Sequence, residues 1–241
     1  MMSNEEMTDL LALDLGTLFE NRNPYAKEIF NRFDIDLLPH SSEDTMLGEI
    51  YELFGGAWRT NNINIVGIIF SDDQIPSVVQ QLRNVPKNNA SIPDFVFDKK
   101  SIIELGLKIP SLYNISFGGD IDSATKLEVK INQVTKSRLT NTQNPGIDII
   151  RTFSAFKESH TRLYRKNIKF EYLVESLFYA ESVEILLEKA PDVNIGVGFQ
   201  VEGVDVTVGV DTATKKSYTL KYSGQNLPFG ATMVRGKNFL N

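Results

Sequence analysis

Two pairs of closely spaced carboxylates, Asp72-Asp73 and Asp120-x-Asp122, are of the type that holds a magnesium ion or divides acid and base roles between neighbours. Their settings favour simpler roles. The first pair falls in the opening turn of an expected helix, where negative charge complements the helix dipole, and the second follows Gly118-Gly119 in a turn. The two histidines, His40 and His160, lie 120 positions apart, and neither belongs to a His-x-x-x-His or Glu-x-x-His pair. Asp14-Leu15-Gly16-Thr17 has the letters of the phosphate loop of actin-like ATPases but sits within a helical period. Gly196-x-Gly198-x-x-x-x-Gly203 lacks the spacing of a dinucleotide fingerprint and lies in strand-like alternation. Cys is absent, which excludes disulfides, thiolate metal sites, cysteine nucleophiles and thioester lipid anchors. Neither a Gly-x-Ser-x-Gly elbow nor a Walker loop occurs. No catalytic residue, cofactor or metal ligand is assigned, and an enzyme is not expected.

The chemistry that does stand out is electrostatic. The whole chain is acidic, with 25 Lys+Arg against 31 Asp+Glu and a formal charge of −6, which argues against a nucleic-acid binder held by phosphate contacts. Residues 123–171 depart from that average. Their ten basic residues face only Glu128, Asp148, Glu158 and Glu171. Such a zone is either a solvated face balancing the acidic opening or a surface drawn to anionic lipid. Arg162, Arg165, Lys166 and Lys169 are its membrane-contact candidates. Met1 to Met7 has neither the cationic flank nor the apolar core of a secretory signal, and no apolar window reaches the ~18 residues of a spanning helix, so a cytoplasmic protein is expected.

The elements that must position these residues follow from periodicity. Apolar spacing predicts helices over 5–20 and from Asn23-Pro24 to Phe33. A third is expected from Ser41 or Ser42, with Leu47, Ile50, Tyr51 and Phe54 on its inner face and Gly55-Gly56 ending it. Residues 1–56 thus read as an N-terminal helical segment packed on a single domain of 57–241. A buried strand is expected over 62–70, a short helix capped by Ser71, and strands over 101–109 and 124–134. In the second of these, Leu127, Val129 and Ile131 alternate with Lys126, Glu128 and Lys130, with a slip at Gln133. Asn144-Pro145-Gly146 precedes a helix marked by Ile149, Phe153 and Phe156. Phe170, Tyr172 and Val174 open another alternating run, and the following stretch would pair back on it, although 181–189 fits helix as well as strand. Ile195 to Val201 and Val204 to Val210 suggest two strands joined at Glu202-Gly203, followed by strands at Tyr218 to Tyr222 and 227–234. The expected fold is α+β: one mixed, mainly antiparallel twisted sheet with peripheral helices.

The stretches Lys169 to Glu188, Ile195 to Val210, and Tyr218-Thr219-Leu220-Lys221-Tyr222 through Ser223-Gly224-Gln225-Asn226 to Phe229-Gly230-Ala231 resemble the end of the pore-forming domain of bacterial gasdermins. The resemblance is clearest over 168–235. It implies a membrane-permeabilising protein of bacterial defence or cell death, whose amphipathic hairpins leave a soluble monomer and close into an oligomeric barrel. It also implies two partners, anionic lipid and further copies of the chain. Leu127, Val129 and Ile131, with Phe170, Tyr172 and Val174, are the candidates for the apolar hairpin faces. The cysteine that relatives carry for lipid attachment has no counterpart here. The alternative is a soluble, non-enzymatic module, an adaptor or immunity-type protein, that binds another protein.

Overall fold

The computed structural model describes residues 34–38, 44–54, 57–92, 95–98, 116–119, 124–139, 149–189, 195–198, 204–211, 215–222 and 227–239. Helices and antiparallel strands make up an α+β fold, and every strand pair among the described residues is antiparallel. Among the described residues the strands divide among three sheets where the alternation suggested one. The seven-stranded sheet holds β1 (Asp36–Leu37), β2 (Glu49–Phe54), β3 (Ala57–Asn64), β4 (Asn88–Asn89), β8 (Thr135–Arg138), β9 (Tyr172–Tyr179) and β14 (Pro228–Arg235). The five-stranded sheet runs in the order β12 (Val204–Asp211), β13 (Lys215–Tyr222), β10 (Ser182–Lys189), β7 (Ala124–Asn132), β5 (Phe95–Asp98). A third, two-stranded sheet pairs β6 (Ser116–Gly119) with β11 (Ile195–Gly198).

One ribbon joins the two large sheets. β7 pairs with β10 and β8 with β9, and the register continues across the break: Lys130↔Glu184 and Asn132↔Ser182 lead on to Thr135↔Tyr179 and Arg138↔Ser176. Gln133 turns the chain there with φ 50°, which accounts for the slip in alternation, and the Glu181 N–H donates to the Asn132 carbonyl at 3.2 Å. β9 and β10 therefore do not fold back on each other. Each continues the other into a different sheet, and 181–189 is largely strand.

Three further expectations are corrected. Glu49–Phe54 is a strand, in which the adjacent Ile50 and Tyr51 point to opposite faces, and both are buried, at 1% and 2% exposure, so each face is covered. The spacing of Leu47, Ile50, Tyr51 and Phe54 fits a helix face equally well, and pairing with β3 and β9 decides against it. The strand expected over 62–70 ends at Asn64. The Asn64 side chain accepts the Val66 N–H at 3.0 Å and donates to the Leu47 carbonyl at 2.9 Å, turning the chain into α1 (Val66–Ile69). β12 pairs with β13, and β11 with β6, so the hairpin expected between β11 and β12 is not formed by the described residues. The helices expected over 5–20 and 23–33, the strand over 101–109 and the break at 144–146 lie outside the described residues.

The core fills the space between the seven-stranded sheet and the helices. α2 (Ile75–Arg83), with Pro76 in its first turn, buries Val78 and Leu82. α3 (Ile149–Ser159) buries Ile149, Phe153 and Phe156, and α4 (Thr161–Asn167) buries Tyr164. Phe153 meets the Tyr164 and Phe239 rings edge-on at 6.1 and 5.3 Å. The Tyr164 hydroxyl donates to the Gly236 carbonyl at 3.2 Å, tying α4 to the turn after β14. Leu173, Val174, Leu177 and Phe178 are all buried, so β9 is covered on both faces.

Candidate membrane-contact surface

Three of the four basic candidates share one short helix that the sequence did not announce. α4 has only Tyr164 on its buried side, followed by Ile168, and this leaves Arg162, Leu163, Arg165 and Lys166 exposed. Lys169 is half-buried in the turn that follows, its Nζ 5.0 Å from the centroid of the Phe170 ring. The Lys237 N–H donates to the Lys169 carbonyl at 3.1 Å, which brings a further exposed basic residue beside the turn. Two large apolar side chains stand in the same segment, Leu163 at 47% and Phe170 at 58% exposure. Among the described residues no ion pair joins a carboxylate to Arg162, Arg165 or Lys166. Cations flanked by exposed apolar groups suit an interface in which charge meets phosphate and the apolar groups enter the acyl boundary.

The apolar-face candidates separate into two groups. Phe170 precedes β9 and lies in the turn, Tyr172 is half-buried with its hydroxyl accepting from Arg235 Nε at 2.9 Å, and Val174 is wholly buried in the core. Leu127, Val129 and Ile131 lie on β7, in the five-stranded sheet. There the register aligns apolar positions row by row: Ile131, Val183, Leu220 and Val206, then Val129, Ile185, Tyr218 and Val208. The intervening rows are polar: Lys130, Glu184, Thr219 and Thr207, then Asn132, Ser182, Lys221 and Asp205. Four strands thus alternate in phase over these rows, and the next two rows each hold one exception: Leu186 in the polar row of Glu128 and Ser217, and Lys216 in the apolar row of Leu127, Leu187 and Val210.

Salt bridges organise the polar rows of β7. Glu128 lies 3.3 Å from both Lys126 and Lys130, and Lys126 lies 3.9 Å from Glu188 across the strands. Burial pushes the Glu128 carboxyl up, but the hydrogen bonds and charges of Lys130 and Lys126 outweigh it and hold it below its usual value.

The motifs set aside by sequence take ordinary places. Asp72 and Asp73 are exposed ahead of α2. His160 is exposed between α3 and α4, stacked on Phe156 at 5.0 Å, with Nδ1 2.8 Å from the Ser159 hydroxyl. Asp14, His40, Asp120 and Asp122 lie outside the described residues. Among the described residues no group of three His, Asp or Glu side chains is placed to hold a metal ion, and no helix is long and apolar enough to cross a membrane. Sequence reasoning missed a pocket of about 410 Å³ lined by Asp44, Glu49, Tyr51, Thr60, Asn62 and Asn64, among others. Glu49 Oε1 accepts from the Thr60 hydroxyl at 2.8 Å, while Oε2 is buried without a partner. Burial pushes the Glu49 carboxyl up, and burial with the Glu49 charge raises the Tyr51 hydroxyl.

No protein-family model matches the chain. No curated protein matches it. Among solved structures the chain is similar to a bacterial gasdermin from Bradyrhizobium tropiciagri, with 11% sequence identity and a TM-score of 0.40, over 86% of this chain and 83% of that one.

Proposed function

We propose that this chain is a non-enzymatic, gasdermin-like membrane-permeabilising protein, acting in defence or cell death by self-association of amphipathic β-hairpins on anionic membranes. The observation that carries the reading is the in-phase alternation of β7, β10, β13 and β12. A strand enters lipid only if its backbone groups are paired and one face is apolar, which is why barrels cross membranes and open sheets do not. These strands are 9, 8, 8 and 8 residues long, close to the roughly 9–11 of a tilted transmembrane strand. The α4 surface supports the same reading as the first point of attachment to anionic headgroups.

The test is dye release from vesicles at low salt. Full-length protein is expected to empty vesicles rich in anionic lipid and to spare zwitterionic ones. Failure both to bind and to release dye from anionic vesicles would replace this reading with the soluble interaction module.

A further inference from the structure

Among the described residues β5 and β12 are the end strands of the five-stranded sheet, and β5 pairs with β7 at four positions: Phe95↔Val129, Val96↔Glu128, Phe97↔Leu127 and Asp98↔Lys126. The row through that last pair runs on across the sheet to Glu188, Lys215 and Asp211. Charge alternates in sign along all five strands, and both ends of the row are acidic. Remove β5 and the row reads Lys126, Glu188, Lys215, Asp211. Its ends are then opposite in charge.

Strand direction gives the same result independently. Four antiparallel strands are an even number, so β12 of one copy would run antiparallel to β7 of the next and continue the sheet without a break. The five strands among the described residues are an odd number, and with β5 in place β12 of another copy would meet β5 in parallel, with Asp211 in the row of Asp98. In the register that β5 uses, β12 would set Val210 against Leu127, Val208 against Val129 and Val206 against Ile131. Thr207 would meet Lys130 and Asp211 would meet Lys126. Apolar positions oppose apolar ones throughout.

We infer that β5 is a removable edge cap, in which Asp98 occupies the place that Asp211 of a second copy takes once β5 leaves. The contact is head-to-tail, so each addition opens the same edge for the next. With β5 bound, like charges and a mismatch of direction keep single copies apart. The inference rests on the self-association in the proposed function and supplies its edges, its register and its restraint.

The chain has no native cysteine, so introduced ones report single contacts. Thr207→Cys and Lys130→Cys proteins, mixed under mild oxidation in solution and on anionic vesicles, are expected to form a mixed disulfide dimer that neither forms alone. A Val96→Cys/Glu128→Cys chain, oxidised within itself to tether β5, is expected to sediment as monomer and to self-associate after reduction. Asp98→Lys should raise association severalfold and Asp211→Lys should lower it, and neither requires a disulfide to form. Absence of the mixed dimer in both settings, or unhindered assembly of the tethered chain, overturns the inference. Dye release without the mixed dimer would refute the edge pairing while leaving permeabilisation standing. The mixed dimer without dye release would support the pairing and remove the permeabilisation reading.

Discussion

Changing Arg162, Arg165, Lys166 and Lys169 together to Gln isolates electrostatic attachment from folding. Each basic residue near an anionic surface contributes about 1 kcal/mol. The first three are exposed and count in full, whereas Lys169 is half-buried against Phe170 and counts in part, so the set contributes about 3 kcal/mol. At about 1.4 kcal/mol per tenfold, Kd for anionic vesicles should rise by roughly a hundredfold. Stability should change little, because such surface substitutions usually stay within about 0.5 kcal/mol each. The assay is co-sedimentation with vesicles at about 0.01 M salt, where the Debye length is about 30 Å, and at about 0.15 M, where it is about 8 Å. Wild-type binding should weaken as salt rises, and the variant should show a flatter salt dependence. A variant that folds normally and binds within twofold of wild type would refute the assignment of attachment to α4.

Phe170→Ser should leave thermal stability unchanged, since the side chain is 58% exposed, and should slow dye release more than it weakens initial binding, as vesicle kinetics would show. Val174→Lys should unfold the monomer, because its side chain is fully buried in the seven-stranded sheet's core; circular dichroism checks this, and a folded variant would contradict the packing. Glu49→Gln tests the raised carboxyl. A folded-state value above the ordinary 4.5 means that the protonated carboxyl's contribution is present below that pH and lost as pH rises through the folded value. The Gln variant should therefore be more stable than wild type at neutral pH and lose that advantage near pH 4, measured by urea unfolding.

Alternation showed which residues share a face of β7, β12 and β13 and left β10 open between helix and strand, and it carries no information on which strand lies alongside. Hence the hairpin assigned to β11 and β12 belongs to β12 and β13, because any two valine-rich strands satisfy the same period. The ribbon of β7–β8 against β9–β10 was hidden for a different reason. β9 is buried on both faces, so its pattern of Leu173, Val174, Leu177 and Phe178 carries no period of two, and the passage between sheets is set by the turn at Gln133. The basic residues were visible as a zone, but α4 was not, since seven residues with one buried tyrosine give too little periodicity to define a helix. Exposed Leu163 and Phe170 beside those cations could be seen only once Tyr164 and Ile168 were known to face inward.

The most direct test of membrane insertion is a fluorophore scan along β7. Single-cysteine proteins at Lys126, Leu127, Glu128, Val129 and Lys130, each labelled with an environment-sensitive dye, would be mixed with anionic vesicles carrying a lipid-borne quencher. Insertion of β7 as a barrel strand predicts apolar emission and quenching at positions 127 and 129, with 126, 128 and 130 remaining aqueous. Dye release accompanied by no change at these five positions, or by changes without a period of two, would contradict it.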